Sequence, residues 1–190
     1  TEPHVAATTL LVWQLAQYLG ISDDSPAWRD IATCAYAGLL TDTGRFMFQN
    51  TDALALSAAA EMFAAGIDAA GIAQRLFQDR TLASVEIDAL AVRHAEFLCE
   101  GRAVLSWISL DDMQETGAEK DDTEGAINVI RSIQGVEVAC MLQERDDCVR
   151  GSLRAKGDLD VASLARGFTL HCPMDEARAT MHDALRRVVS

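Results

Sequence analysis

The spacing of apolar residues changes near Gly101, and that change confines the chain to a helical part followed by an α/β part. Upstream, Leu11, Val12, Leu15 and Leu19 recur at helical spacing over residues 5–19, and Gly20 stops the run. Ser25-Pro26 then offers a cap with proline at the first helical position. Residues 28–40 are apolar almost all round, with Ile31, Ala32, Cys34, Ala35, Tyr36, Ala37, Leu39 and Leu40, as in a helix buried on most sides. Further helices are predicted over residues 52–65, closed by Gly66, over 68–78, and over 81–99, the last as a connector between two lobes. Downstream, residues 103–110 form a β-like run carrying Val104, Leu105, Trp107 and Ile108. Residues 111–120 are polar and read as a loop. Asp121 or Asp122 caps a helix that reaches about residue 133. Two strand-like runs, 136–142 and 148–156, flank a polar hairpin at 144–147. A short helix at 160–166 and a C-terminal helix at 175–189 follow, the latter with Asp175 as its cap and Arg186 and Arg187 in its last turn.

With 190 residues and 49% apolar composition, the chain can bury one good core or two small ones. Its formal net charge of -13 excludes the non-specific coating of duplex nucleic acid, which needs a surplus of Lys and Arg. A short anionic ligand remains compatible where cations are gathered locally. No apolar run reaches the roughly 18 residues that span a bilayer, so no membrane partner is expected. Residues 1–4 lack the basic and apolar regions of a signal peptide. The five cysteines, an odd number with no CxxC pair, read as free, mostly buried thiols in a reducing cytoplasm.

Asp42 follows the apolar helix directly. The C-terminal end of a helix carries partial negative charge, so a carboxylate there needs a nearby cation. A bound metal would serve, and so would Arg45, three residues on. The alternative is an Asp that closes the Thr-Asp-Thr-Gly turn through its own backbone. In residues 148–156, strand alternation puts Arg150, Ser152, Arg154 and Lys156 on one face and Val149, Gly151, Leu153 and Ala155 on the other. Such a row suits an anion, because arginine grips phosphate bidentately and serine donates beside it. A basic edge strand that discourages sheet-to-sheet aggregation has the same composition. His4, His94, His171 and His182 lie far apart without metal-site spacing and read as surface or partly buried residues. No GxSxG, P-loop or GxGxxG motif occurs. Trp13, Trp28 and Trp107 sit in apolar periodic segments and read as core.

Ala37-Gly38-Leu39-Leu40-Thr41-Asp42-Thr43-Gly44-Arg45-Phe46 resembles the last metal-binding motif of the DHH phosphoesterases, in particular the oligoribonuclease (nanoRNase) and cyclic-dinucleotide phosphodiesterase group. Asp122-Thr123-Glu124-Gly125, Arg131-Ser132-Ile133 and Gly135-Val136-Glu137-Val138 are similar to the DHH-associated substrate-binding domain. Arg150-Gly151-Ser152-Leu153-Arg154-Ala155-Lys156 is similar to that domain's substrate-contacting strand. The resemblance implies an α/β fold: the C-terminal part of a DHH domain over residues 1–80, a connector helix over 81–100, and a small mixed-sheet α/β domain over 101–190.

The resemblance also implies a hydrolase: a phosphodiesterase or exonuclease that uses two manganese ions on short oligonucleotides or (cyclic) dinucleotides. Asp42 would be a metal ligand. Arg154, Ser152, Arg150 and Lys156 would clamp the substrate, and Arg45 would touch phosphate or support the metal. The partner is a short nucleotide or other small phosphorylated substrate, with homodimer formation compatible. Two departures bear on this. The family's upstream His and Asp ligands and its Asp-His-His triplet do not occur in these residues. The glycine-rich loop ending in His, expected near Phe168, is replaced by Arg166-Gly167-Phe168 running into Thr169-Leu170-His171. A single carboxylate does not hold manganese. The chain is therefore expected to be an incomplete part of an enzyme and inactive alone. The alternatives are a non-catalytic nucleotide-binding or regulatory module, a structural dimerisation fragment, or an exopolyphosphatase-like or bisphosphate nucleotide phosphatase activity.

Overall fold

The structure is a computed structural model that describes residues 5–156 and 167–189. It separates into two compact units, Thr1–Asp79 and Arg80–Ser190. The first is helical: α1 (Thr8–Tyr18), α2 (Trp28–Asp42), α3 (Ala53–Ala64) and α4 (Ala69–Phe77). Asp52 and Asp68 cap α3 and α4 by accepting hydrogen bonds from the backbone of Ala55 and Gly71. The core gathers Leu10 and Trp13 of α1, Tyr36 and Leu39 of α2, and Met62 of α3. Trp13 is buried, stacks on Trp28 at 4.2 Å between ring centroids, and donates its indole N–H to Glu61. Truncating so large a buried ring costs about 3–5 kcal/mol. On the other side of α1, Leu11, Val12, Leu15 and Tyr18 form an exposed stripe that runs on to Leu19.

The second unit is a sheet between helical layers. It comprises α5 (Leu82–Arg93), β1 (Glu96–Leu98), β2 (Ala103–Ile108), α6 (Leu110–Thr116), α7 (Ala126–Ser132), β3 (Val138–Glu144), β4 (Val149–Ala155), β5 (Gly167–Leu170) and α8 (Met174–Val189). The strands lie in chain order, and only β2 and β3 pair in parallel. Parallel neighbours need a crossover, which α6 and α7 supply. One sheet face, with Leu105, Cys140, Leu142, Val149 and Leu153, packs on Met181 and Leu185 of α8. The other, with Val104, Ile108, Ala139 and Met141, packs on α5 and α7 through Ile87, Ile127 and Ile130.

Several segments differ from the pattern read in the sequence. The helix expected to reach Cys99 stops at Arg93, because Phe97 and Leu98 pair with Val104 and Ala103 across β1 and β2. The polar loop expected at 111–120 is mostly α6. Ser109 and Asp112 form a reciprocal capping box there, and Gly117 ends the helix in the left-handed conformation. The helix expected from Asp121 onward is broken into a 3-10 turn at Asp121–Thr123 and then α7. No strand pattern in the sequence marks β5. The helix expected at 160–166 lies outside the described residues, as does His4. The cysteines are not mostly buried: only Cys140 is, Cys34 is exposed, and Cys99, Cys148 and Cys172 are half-buried. Trp107 is half-buried rather than core, held between the stacked His94 ring and the Arg178 guanidinium.

The crossing of α1 and α2 yields a test. A Cβ on Gly38 would collide with the Thr9 side chain. Gly to Ala inside a helix ordinarily stabilises by about 0.5–1 kcal/mol. Overpacking here costs about 1–3 kcal/mol, so the net sign should reverse. Gly38→Ala should lower the urea midpoint of the first unit's transition, and a raised midpoint would show that the helices are not in close contact there.

Candidate functional site

The register of β3 and β4 decides where the cations go. Gln143 faces Arg150 across the strands, Met141 faces Ser152, and Ala139 faces Arg154. Val149, Gly151 and Leu153 are buried toward α8, so Arg150, Ser152 and Arg154 emerge on the α7 side. Ile127 and Ile130 of α7 cover Met141 and Ala139. Beside α7 a cavity of about 300 Å³ opens, at the lower end of the range for small-molecule sites. Arg150, Ser152 and Arg154 line it together with Arg145 and Lys120, over a floor that includes Ile127 and Met141. Gly151 also borders it, and on the opposite sheet face the Phe168 ring occupies the space where its Cβ would be.

The cations are held by their neighbours. Arg145 Nη2 donates to Gln143 Oε1 at 2.8 Å, while Gln143 Nε2 donates to the Thr123 carbonyl at 3.4 Å. Arg154 Nη1 donates to the Leu153 carbonyl at 2.9 Å. Burial and then the charge of Arg154 hold the pKa of Arg131 below the ordinary arginine value. A guanidinium whose charge is disfavoured gains from an anion placed beside it. Lys120 sits on the loop before α7, which Asp122 ties down by accepting from Glu119 N at 2.9 Å and from Thr81 Oγ1 at 2.5 Å. The same Thr81 hydroxyl caps α5. These bonds, Thr81 first, keep the Asp122 carboxyl below the usual aspartate value.

Of the predicted clamp, Arg150, Ser152 and Arg154 line one cavity, and Lys156 does not: its amine donates to the Ile133 carbonyl at 2.9 Å. In the first unit, Asp42 is the last residue of α2 rather than the residue beyond it, and its side chain is exposed. Asn50 Nδ2 donates to its carbonyl at 3.1 Å. The next turn is wound left-handed through Gly44, Arg45 and Phe46, with φ of 55°, 62° and 62°. Buried Thr43 steadies it, donating to the Leu39 carbonyl and accepting from Phe46 N. Arg45 lies over the Phe77 ring at 4.8 Å and makes no ion pair with Asp42, so of the two counter-charges open to that carboxylate the structure does not show Arg45.

No family model matches the chain. It is 30% identical over 165 residues to the bifunctional oligoribonuclease and PAP phosphatase NrnA of Thermus thermophilus, a match over 86% of this chain and 48% of that protein. The NrnA of Bacillus subtilis is 26% identical over 137 residues, 72% of this chain and 43% of that one. The chain belongs to the DHH phosphoesterase family. It spans about half the length of the curated DHH relatives it matches. Its fold is that of an exopolyphosphatase-related protein of Bacteroides fragilis, with a TM-score of 0.89 and 22% identity over 98% of this chain and 58% of the other.

Lys120, Glu124, Gln143 and Arg145 are further residues lining the cavity of this DHH-family chain that strand periodicity did not single out. They come from the loop before α7 and the end of β3, and no local period links them. Thr81 offers a test of their anchoring. A carboxylate with a lowered folded pKa adds stability that is complete above its unfolded value, about 3.9, and is lost as pH falls through the lower folded value. Thr81→Val should raise the Asp122 pKa toward the ordinary value in a carbon-detected NMR titration, whereas an unmoved titration would remove Thr81 as the anchor.

Proposed function

We propose that this chain is the substrate-binding part of a metal-dependent phosphodiesterase that acts on short oligonucleotides or (cyclic) dinucleotides. The supporting observation is the cavity where Lys120, Arg145, Arg150 and Arg154 converge in a chain of net charge -13. Arg150 and Arg154 are four residues apart on one strand, about 13 Å along it. That length of wall has room for a ligand with more than one anionic group. Ser152 sits between them and donates to a bridging oxygen. The names of the matched relatives, oligoribonuclease and PAP phosphatase, point to the same class of ligand.

Metal chemistry is a family expectation, with manganese as the proposed ion. The described residues do not fit a metal by themselves: none of their His, Cys, Asp and Glu side chains gather in threes. Asp42 is proposed as one ligand of a site completed by residues outside this chain. What the chain itself supplies is grip and orientation of the phosphates, a contribution made by positioning rather than by proton transfer. We assign residues 1–80 to the end of the DHH domain and 101–190 to the DHH-associated domain. The cytoplasm is the proposed location, in keeping with free cysteines. No single described helix is long and apolar enough to cross a membrane.

Titration calorimetry of the chain with a 5′-phosphorylated dinucleotide tests the reading. Arg154→Ala should weaken binding about ten-fold, and Lys156→Ala should leave it nearly unchanged. In the full-length protein, Asp42→Ala should abolish turnover and retain binding. Manganese-dependent cleavage by the 190-residue chain alone would refute the view that its metal site is incomplete.

A further inference from the structure

We propose that Glu124 makes the cavity select phosphorylated ligands whose base carries an exocyclic amine over bare polyphosphate; this rests on the reading that the β4 wall binds phosphate. Glu124 lines the cavity alongside Lys120, Arg145, Arg150 and Arg154. Its side chain forms no hydrogen bond or ion pair among the described residues, despite the cations around the same space. An acid within reach of any of these cations would pair with it, so this carboxylate stands apart from the cationic wall and open to a ligand. Ile127 and Met141, on the floor of the same cavity, offer apolar surface for a flat ring.

The two charges sort a ligand's ends. An ionised carboxylate only accepts hydrogen bonds, so it attracts an amino edge and repels a phosphate oxygen. A nucleotide satisfies both sides, with phosphate on the arginines and an amine at Glu124. Polyphosphate is anionic along its whole length and sets one of its groups against the acid. Cytosine presents a 4-amino group where uracil presents a carbonyl with a ring N–H beside it, so a carboxylate set against the 4-position accepts from cytosine and meets a repelling oxygen on uracil. Glu124 also precedes α7, where an acid suits the helix's partial positive end. That role affects stability and leaves ligand ratios unchanged.

Calorimetry with cytidine 5′-monophosphate, uridine 5′-monophosphate and tripolyphosphate, on the native chain and on Glu124→Gln, separates these effects, with melting temperatures recorded alongside. The native chain should prefer the cytidine nucleotide about ten-fold. Glu124→Gln should bring the two nucleotides within about two-fold of each other and tighten tripolyphosphate about five-fold. Unchanged nucleotide and polyphosphate ratios, with Arg154→Ala still weakening all three ligands, would overturn the Glu124 role and leave the phosphate wall standing. Equal binding of all three to native chain and Arg154→Ala, or no binding at all, would overturn both.

Discussion

Everything at the cavity depends on the two-sidedness of β4. Val149, Gly151 and Leu153 are committed to the layer under α8, and pairing with β3 fixes the opposite face to carry Arg150, Ser152 and Arg154. Slipping the register by one residue would bury two guanidinium groups and expose the apolar set, at a cost no surface interaction offsets. The core and the cationic wall are thus one decision made twice, once per face. Gly151 shows how closely the faces are linked: it borders the cavity on one side and gives its space to Phe168 on the other.

The convergence of cations sets electrostatics against an acidic whole. A net charge of -13 repels anions at long range, yet the repulsion is screened within about 8–10 Å at physiological salt. Close to the wall the local guanidinium groups dominate. Gln143 bridges the Thr123 carbonyl and Arg145, so the hairpin and the loop before α7 are coupled through one amide. Burial, and then the charge of Arg154, hold the pKa of Arg131 below the ordinary arginine value.

What was legible in the sequence is what repeats locally. The α/β class, the helical start and the alternating face of β4 follow from periods of 3.6 and 2, and the structure bears out the class. The capping box at Ser109 and Asp112 was present in the letters, but the polarity of residues 111–120 outweighed it. The end of α5 was not legible, because the partner that draws Phe97 and Leu98 into a strand lies in β2 rather than in the helix. For the same reason periodicity does not mark Lys120, Glu124 and Arg145 as neighbours: they share a cavity only after β3, β4 and α7 have packed. Lys156 is placed differently. It has the parity of the clamp, but sits beyond the last residue of β4, where the Ile133 carbonyl takes its amine.

The outward stripe on α1 bears on how the chain behaves in a tube. Val12, Leu15, Tyr18 and Leu19 present apolar surface that attracts any similar surface, and the excess negative charge is what holds copies apart. Added salt weakens the second force and spares the first. Colloidal dispersion of this chain is therefore governed by ionic strength, and dilute, low-salt buffer is the condition in which single molecules prevail.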